Sequence, residues 1–499
     1  MPKLAQTEKI LWLCLLLTVP ISASPLLPLG SGTLARPLAI VPAALLLLLA
    51  AFRMIVLRQR PNLSGDGFAL LAVFTIYIVI SGLVLVSSEP PDAFKGQEPF
   101  DSFVRALLTW VIGIAFYLVA RLQIRTAADI RFTIRYLFIG MTASIAFAVI
   151  QVIALVEGGD IFRGVQAVTD LFAVHFQNLM SRAQGMAFEP SWLATQVIVL
   201  LIPALIASSI SRQDAIDMPP GKRHTLRLAA GFAIAGCGLL CAGSRFGLAA
   251  IVIMLVVSGF VAAWRGRIYA AAMLLLVLLA GGGGLFAMSE LGAGAGSTYV
   301  VGPIAYFEGT VSASIADPSL APQVTDALAL AGRAAVAEAA AKMWLDHPLF
   351  GVSFGNNYRY FGKYAPDWAF TTGIFTQGSE EGVGWLDTNS PQKANAKNFF
   401  LRLLSETGIV GFAIFGLFLL RQIFHGPVRD NYHSYFRLTT ALALGFGFLN
   451  QDTFVDPELW LPLALCFAMN HLQPAKKAVM SEQQPLRISA LLSLESRPI

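Results

Sequence analysis

The chain has 499 residues, 56% hydrophobic and 13% charged, with a net charge of +5 and a mean hydropathy of +0.66. A soluble domain carries about a quarter charged residues, so this balance excludes an ordinary soluble protein and points to a chain embedded in a bilayer. The basic residues are scattered over short loops rather than gathered in a stripe, which argues against a nucleic-acid partner.

In chain order, Lys3 and Lys9 flank the start of "ILWLCLLLTVPISAS". The stretch has the form of a signal peptide, with small residues near Ser22–Ser24, but ahead of so many further apolar runs it reads as an uncleaved first helix. Apolar segments then recur at 10–29, 38–57, 67–87, 103–120, 133–156, 193–210, 228–243, 247–264, 268–288, 399–420, 435–450 and 454–472. Each approaches the roughly 20 residues that cross a bilayer. The expectation is an all-α polytopic membrane protein of about twelve transmembrane helices. Helices one to nine occupy 1–288, with an extracytoplasmic segment near 157–192. A large periplasmic loop containing helices fills 289–397, helices ten to twelve fill 398–472, and a polar cytoplasmic tail covers 473–499. Within the large loop, "TDALALAGRAAVAEAAAKMWLDHP" is Ala-rich and ends before Pro348, which predicts a helix. The run "GGGG" at 281–284 is expected to break or bend the ninth span.

Charge placement gives the orientation. With the amino terminus inside, alternate connections hold Lys3 and Lys9; Arg53, Arg58 and Arg60; Arg121, Arg125 and Arg131; Arg212, Lys222, Arg223 and Arg227; Arg265 and Arg267; Arg421 and Arg429; and Lys476 and Lys477. The short connections on the other side are poor in Lys and Arg or acidic, as in "SSEPPDAFKGQEPFD". That alternation follows the positive-inside rule and predicts both termini in the cytoplasm.

Against this background, isolated charges gather on the outer side, where membrane-edge charges are functional candidates by default. Arg105 opens the fourth span and reads as an interfacial snorkel. Arg182 and Glu189 precede the sixth span, Arg245 occupies the short turn "CAGSRFG", Arg333 lies on the loop helix, and Lys397, Asn398 and Glu406 open the tenth span. Arg245 has two readings: a snorkel to lipid phosphate, or a guanidinium fork that clamps a phosphate-bearing substrate. Glu189, before Pro190 and Ser191, either caps a helix start or takes a proton from a hydroxyl, although nearby cations would weaken it as a base. His175 reads as packed and His347 as a helix end. Cys14, Cys237, Cys241 and Cys466 lie in apolar runs without CxxC or Cys/His spacing, so they imply neither a disulfide framework nor a metal site. The sequence carries no P-loop, no GxGxxG between strand and helix, and no Ser nucleophile elbow. An enzyme built this way needs an already activated substrate, and no cofactor is expected.

Four pieces, in order, resemble the O-antigen ligase and Wzy-type polysaccharide polymerase superfamily of bacterial inner membranes. They are "SRAQGMAFEPSWLA", "CAGSRFGLAAI", "GRAAVAEAAAKMWLDHPLFGVSFGN" and "KNFFLRLLSETGIVG", spread over about 180–420. The resemblance implies a metal-independent glycosyltransferase whose donor is an oligosaccharide on undecaprenyl pyrophosphate, presented at the periplasmic leaflet. It implies Glu189, Arg245, Arg333 and Lys397 as catalytic, and Arg182, Asn356, Asn398 and Glu406 as binding pyrophosphate or glycan. Lys397 stands where the ligases carry His before the Asn, which favours polymerase over ligase. Membrane lipid, a chain-length regulator and a flippase are the partners the resemblance implies. A ligase transferring to a separate acceptor is the alternative. A flippase or other transporter would place its polar groups near the bilayer midplane rather than at the outer edge, and a structural assembly partner would make the arginines dispensable.

Overall fold

A computed structural model describes residues 2–27, 35–59, 67–88, 94–173, 182–211, 222–267, 274–275, 277, 330–371, 385–387, 393–394, 396–428 and 430–471. The expectations for 281–284, for His175, for most of the ninth span and for the tail after 473 lie outside these residues. Among the described residues the chain is helical throughout, and its extended pieces form only isolated bridges, Ala23 to Arg36, Ala23 to Ala173 and Phe94 to Gln97.

The helices are α1 (Pro2–Thr18), α2 (Ile40–Ile55), α3 (Gly67–Ser88), α4 (Pro99–Gln123), α5 (Ala127–Glu157), α6 (Gly159–Thr169), α7 (Pro190–Ser211), α8 (Lys222–Ala242), α9 (Arg245–Trp264), α10 (Leu330–Asp346), α11 (Asn357–Tyr364), α12 (Asp367–Thr371), α13 (Phe399–Phe424), α14 (Asn431–Asn450) and α15 (Pro457–His471). Seven of them, α3, α4, α5, α7, α8, α9 and α13, are long and apolar enough to cross a membrane, and α2 is a shorter apolar helix. The difference from about twelve expected spans has local causes. The first apolar run does not form one helix over 10–29: α1 stops at Thr18, ahead of Pro20 and Pro25, and the chain continues extended to its bridge at Ala23. The first turns of α14 are polar, and α15 has only 15 residues.

The lipid-facing composition of α3 contrasts with α7, which is almost wholly buried and forms the axis of the bundle. Residues Val197–Leu201 of α7 take π-helical geometry. Pro203 supplies the cause: it has no N–H to give, and its ring would clash with the carbonyl four residues back, so the preceding turn widens. Helix α14 lies along α7, with Gly447 beside Thr195 and Val199. An aromatic cluster of Phe74, Trp110, Phe399, Phe415, Phe448, Phe454 and Trp460 joins α3, α4, α13, α14 and α15 through ring centroids 4.5–5.9 Å apart.

Over one end of the bundle lies a small layer with its own core, built from Ala335, Val336, Ala339 and Met343 of α10, Phe361 and Tyr364 of α11, and Trp385. The layer is stitched to α13. That helix is broken at Gly408, whose φ of 62° and ψ of −171° belong to glycine alone. The segment 348–352 enters the break: Ile409 N–H donates to Pro348 O at 2.8 Å and Val352 N–H to Ser405 O at 2.7 Å. The Tyr77 hydroxyl of α3 donates to the Thr407 carbonyl freed by the break. Gly408 therefore serves to interrupt the helix and admit another chain segment. Gly411 does meet a neighbouring helix, since a Cβ there would lie 2.7 Å from the Tyr77 ring.

Candidate functional site

The end of the bundle beneath this layer collects most of the sequence-predicted site residues that the structure describes. The segment carrying Arg182 and Glu189 is held from three sides. Gln151 of α5 accepts from Gln184 N–H at 3.1 Å and Gly185 N–H at 2.8 Å, Ser144 accepts from Met186 N–H at 3.0 Å, and Ser22 accepts from Phe188 N–H at 2.8 Å. Ala183 N–H donates to Cys241 O at 2.9 Å, and the aliphatic part of Arg182 lies against Gly243. Arg182 thus sits beside the turn that ends at Arg245, the first residue of α9. Ser244 caps that helix, accepting from Gly247 N–H at 3.1 Å.

Arg333 reaches down from α10 to the end of α14. Its Nη1 donates to Asn450 Oδ1 at 2.6 Å, and Asn450 Nδ2 donates in turn to Thr195 Oγ1 at 3.1 Å and Ser191 O at 3.4 Å on α7. The Ser191 hydroxyl donates to Glu189 Oε1. One chain of hydrogen bonds therefore links Arg333 through Asn450 to the first turn of α7 and so to Glu189. Glu189 is the residue before Pro190, in extended conformation, and no backbone cap bond is made by its side chain.

Three other predicted residues have definite local duties. Asn398 is the N-cap of α13, its Oδ1 accepting from Phe400 N–H at 3.0 Å and Leu401 N–H at 3.1 Å. Lys397, just before it, is half-buried and held at a φ of 48°, a conformation uncommon for a side-chain-bearing residue. Asn356 is fully buried and donates to Pro99 O and Ser353 Oγ, both at 3.2 Å, which ties the layer to the start of α4. Glu406 is 2% exposed and accepts from Arg402 Nε at 3.1 Å, while Arg402 Nη1 donates to Asp452 O. A desolvated carboxylate of this kind needs its guanidinium partner.

Sequence reasoning missed the turn "NQDTFVDPEL" at 450–459. It brings Asp452, Asp456 and Glu458 to the same end, all buried, and Asp456 and Glu458 line a narrow cleft with Thr195, Gln451 and Thr453. Among the described residues neither oxygen of Asp456 has a hydrogen-bond donor. Buried carboxylates without donors are costly, so they mark a place where a polar group is expected to dock. The signal was present as Asp452, Asp456 and Glu458 close together at the edge of an apolar run.

The cap at Asn398 yields a direct test. Asn398→Ala is expected to destabilise by about 1 kcal/mol through the lost cap, whereas Asn398→Asp keeps the acceptor and the stability. Thermal unfolding in detergent measures both. Transfer activity that survives in Asn398→Asp assigns the side chain to capping, and activity lost at unchanged stability assigns it to substrate.

No group of His, Cys, Asp and Glu suited to holding a metal ion occurs among the described residues. What the arrangement offers chemically is fixed guanidinium donors and carboxylate acceptors around one end of a helix bundle. Residues 230–416 match the family model described as O-Antigen ligase (Wzy_C). That stretch runs from within α8 to within α13, so it carries Arg245, Arg333, Asn356, Lys397, Asn398 and Glu406, and the resemblance read from the motifs holds for this region. No curated protein matches the chain.

Proposed function

We propose that the protein is a membrane glycosyltransferase of the polymerase type, which moves a growing glycan from undecaprenyl pyrophosphate onto a lipid-linked repeat unit at the periplasmic face. The observation that carries this reading is the linkage of Arg333 through Asn450 to the Glu189 segment, with Arg182 against the Arg245 turn; of these residues Arg245 and Arg333 lie inside the stretch matched by the O-antigen ligase model. In the reaction the bond from the anomeric carbon to the phosphate oxygen breaks, and its electron pair leaves with the pyrophosphate. The acceptor hydroxyl forms the new bond to that carbon and gives up its proton. Arg182, Arg245, Arg333 and Lys397 stabilise the charge that develops on the leaving group; a well-placed donor contributes on the order of 3 kcal/mol. The proton passes to a carboxylate, either Glu189 or Asp456 in the cleft. The donor is activated by its pyrophosphate, so the step calls for no nucleotide.

Glu189→Gln and Asp456→Asn separate the two carboxylates. The true base loses on the order of 10²-fold or more in rate when neutralised, and its loss steepens no further when the other is also changed. Purified protein given only lipid-pyrophosphate repeat units is expected to make longer lipid-linked chains. Release of glycan only when a separate acceptor is added would replace the polymerase reading with the ligase. Protease added from outside the inner membrane is expected to cut within 289–397; cleavage from the cytoplasmic side instead would overturn the assigned face.

A further inference from the structure

The depth at which the segment 348–352 enters α13 is fixed by α3. The Tyr77 hydroxyl donates to Thr407 O, and a Cβ at Gly411 would lie 2.7 Å from the Tyr77 ring. Tyr77 stands near the midpoint of α3 (Gly67–Ser88), so the rise of an α-helix puts it about 15 Å from either end. Helix α3 is long and apolar enough to cross a membrane, and little of it is buried in the bundle. Against a hydrocarbon core of about 30 Å, a segment beside Tyr77 lies well below the bilayer surface. Part of the layer therefore descends along the membrane helices rather than resting above them.

The backbone of this segment suits such a place. Hydrocarbon tolerates irregular backbone only where its polar groups are paired within the protein. At the break, Ile409 N–H donates to Pro348 O at 2.8 Å and Val410 N–H to Leu349 O at 3.4 Å, while His347 O accepts from Gly351 N–H at 3.0 Å. Three successive carbonyls of the tip are thus satisfied by protein. The side chains there are large and apolar: Leu349 is 55% exposed, Phe350 53%, and Leu345 at the end of α10 is exposed as well. In water such a cluster is costly. Here it continues the exposed apolar surface of the adjoining helices, Ile76 and Ile80 on either side of Tyr77 and Ile409 next to the break. The polar residues of the stretch, Asp346 and His347, come before Pro348, and Asp346 accepts from the Tyr364 hydroxyl of the layer at 2.8 Å.

We propose that Leu349 and Phe350, with Leu345 above them, insert among the acyl chains of the leaflet beneath the layer. The partner of this surface is lipid hydrocarbon. Helix α10 is then held at both ends, near its start by the bond from Arg333 to Asn450 and past its last residue by the inserted tip, which together set the height of Arg333 over the membrane.

The test places an environment-sensitive fluorophore on Leu349→Cys and on Phe350→Cys, in full-length protein whose Cys14, Cys237, Cys241 and Cys466 are changed to Ala, in phosphatidylcholine nanodiscs. Ile80→Cys is the lipid reference and Lys363→Cys, exposed on α11, the water reference. Phosphatidylcholine brominated on its acyl chains quenches by contact inside the hydrocarbon, and iodide quenches from water. Labels at Leu349 and Phe350 are expected to lose as much emission to brominated lipid as the label at Ile80, and to be spared by iodide. Quenching by iodide to the extent seen at Lys363 overturns the anchor. Sparing from both quenchers means that protein covers the tip, whether another part of this chain or a second copy, and overturns it too. Unaltered protein supplies a second measurement: a lipid with a diazirine on its acyl chain should label the peptide holding 345–350 and leave the one holding Lys363 bare. The reverse pattern, or no label on 345–350, refutes the insertion. Neither measurement uses a glycan, so the outcome stands apart from that of the proposed transfer.

Discussion

On the proposed polymerase reading, Arg333→Ala is expected to lower polymer formation by on the order of 10²–10³-fold, while the protein accumulates in the membrane at its normal level. The size follows from removing one fixed cationic donor from the charge that, in the proposed reaction, builds on a departing pyrophosphate. The retained level follows from position. Arg333 sits on α10 with its side chain partly exposed, and the described contact it loses is the one to Asn450. Asn450 keeps the bonds that its own Nδ2 donates to Thr195 Oγ1 and Ser191 O, so the end of α14 stays in place. Arg333→Lys is expected to recover little, because the three donors of an ammonium radiate from one nitrogen and lack the planar, spaced fork with which a guanidinium holds Asn450 and faces a second acceptor together. Polymer length distributions from cells expressing each variant read the outcome. Wild-type lengths in Arg333→Ala would remove the residue from the chemistry.

The second large effect concerns folding. Gly408→Ala is expected to destabilise by roughly 3 kcal/mol or more, through a backbone conformation only glycine adopts and a collision with a neighbouring chain. A Cβ at that position would lie 2.2 Å from Leu349 O and 2.5 Å from Phe350 N, both backbone atoms that cannot swing aside. Gly351 meets the same junction from the other chain, with a φ of 70° and a Cβ position 2.5 Å from Ser405 O. Gly416, later in the same helix, is the control: nothing lies within 4 Å of its Cβ position, and Gly416→Ala should stabilise by roughly 0.5–1 kcal/mol. Thermal unfolding in detergent compares the three. Similar midpoints for Gly408→Ala and Gly416→Ala would mean that the break in α13 is not required.

The ends of the helices were legible in the sequence because bilayer-spanning segments push charge, Pro and Gly to their boundaries, and those residues are visible one at a time. Hence the segments bearing Arg182, Arg245, Arg333 and Asn398 were found, and the structure brings Arg182 to the Arg245 turn and Arg333 to the start of α7. What each polar side chain does once there was not legible. Asn398 caps, Asn356 anchors the layer to Pro99, and Glu406 pairs with Arg402. Each of these contacts satisfies backbone or charge, a demand that hydropathy does not express. The junction at Gly408 joins residues nearly sixty positions apart, and no periodicity announces such a pairing. The buried acids at 452–458 were passed over because they sit at the edge of an apolar run, where two apolar helices meet.

The widened turn at Val197–Leu201 has a bearing on how this chain tolerates changes of length. A π-turn houses one residue more than the α-helix it interrupts, so the two halves of α7 keep the facing they have only while that extra residue is present. Deleting one residue within 197–201 would let the helix close to regular α geometry with both halves still aimed as they are. The same deletion at Ala194 or Ala207 would instead swing one half by about 100° against its neighbours, turning its inward side chains away. Such a helix has a single place where a residue can be dropped, and a deletion scan along 190–211 should find it as one tolerated gap in an otherwise intolerant stretch.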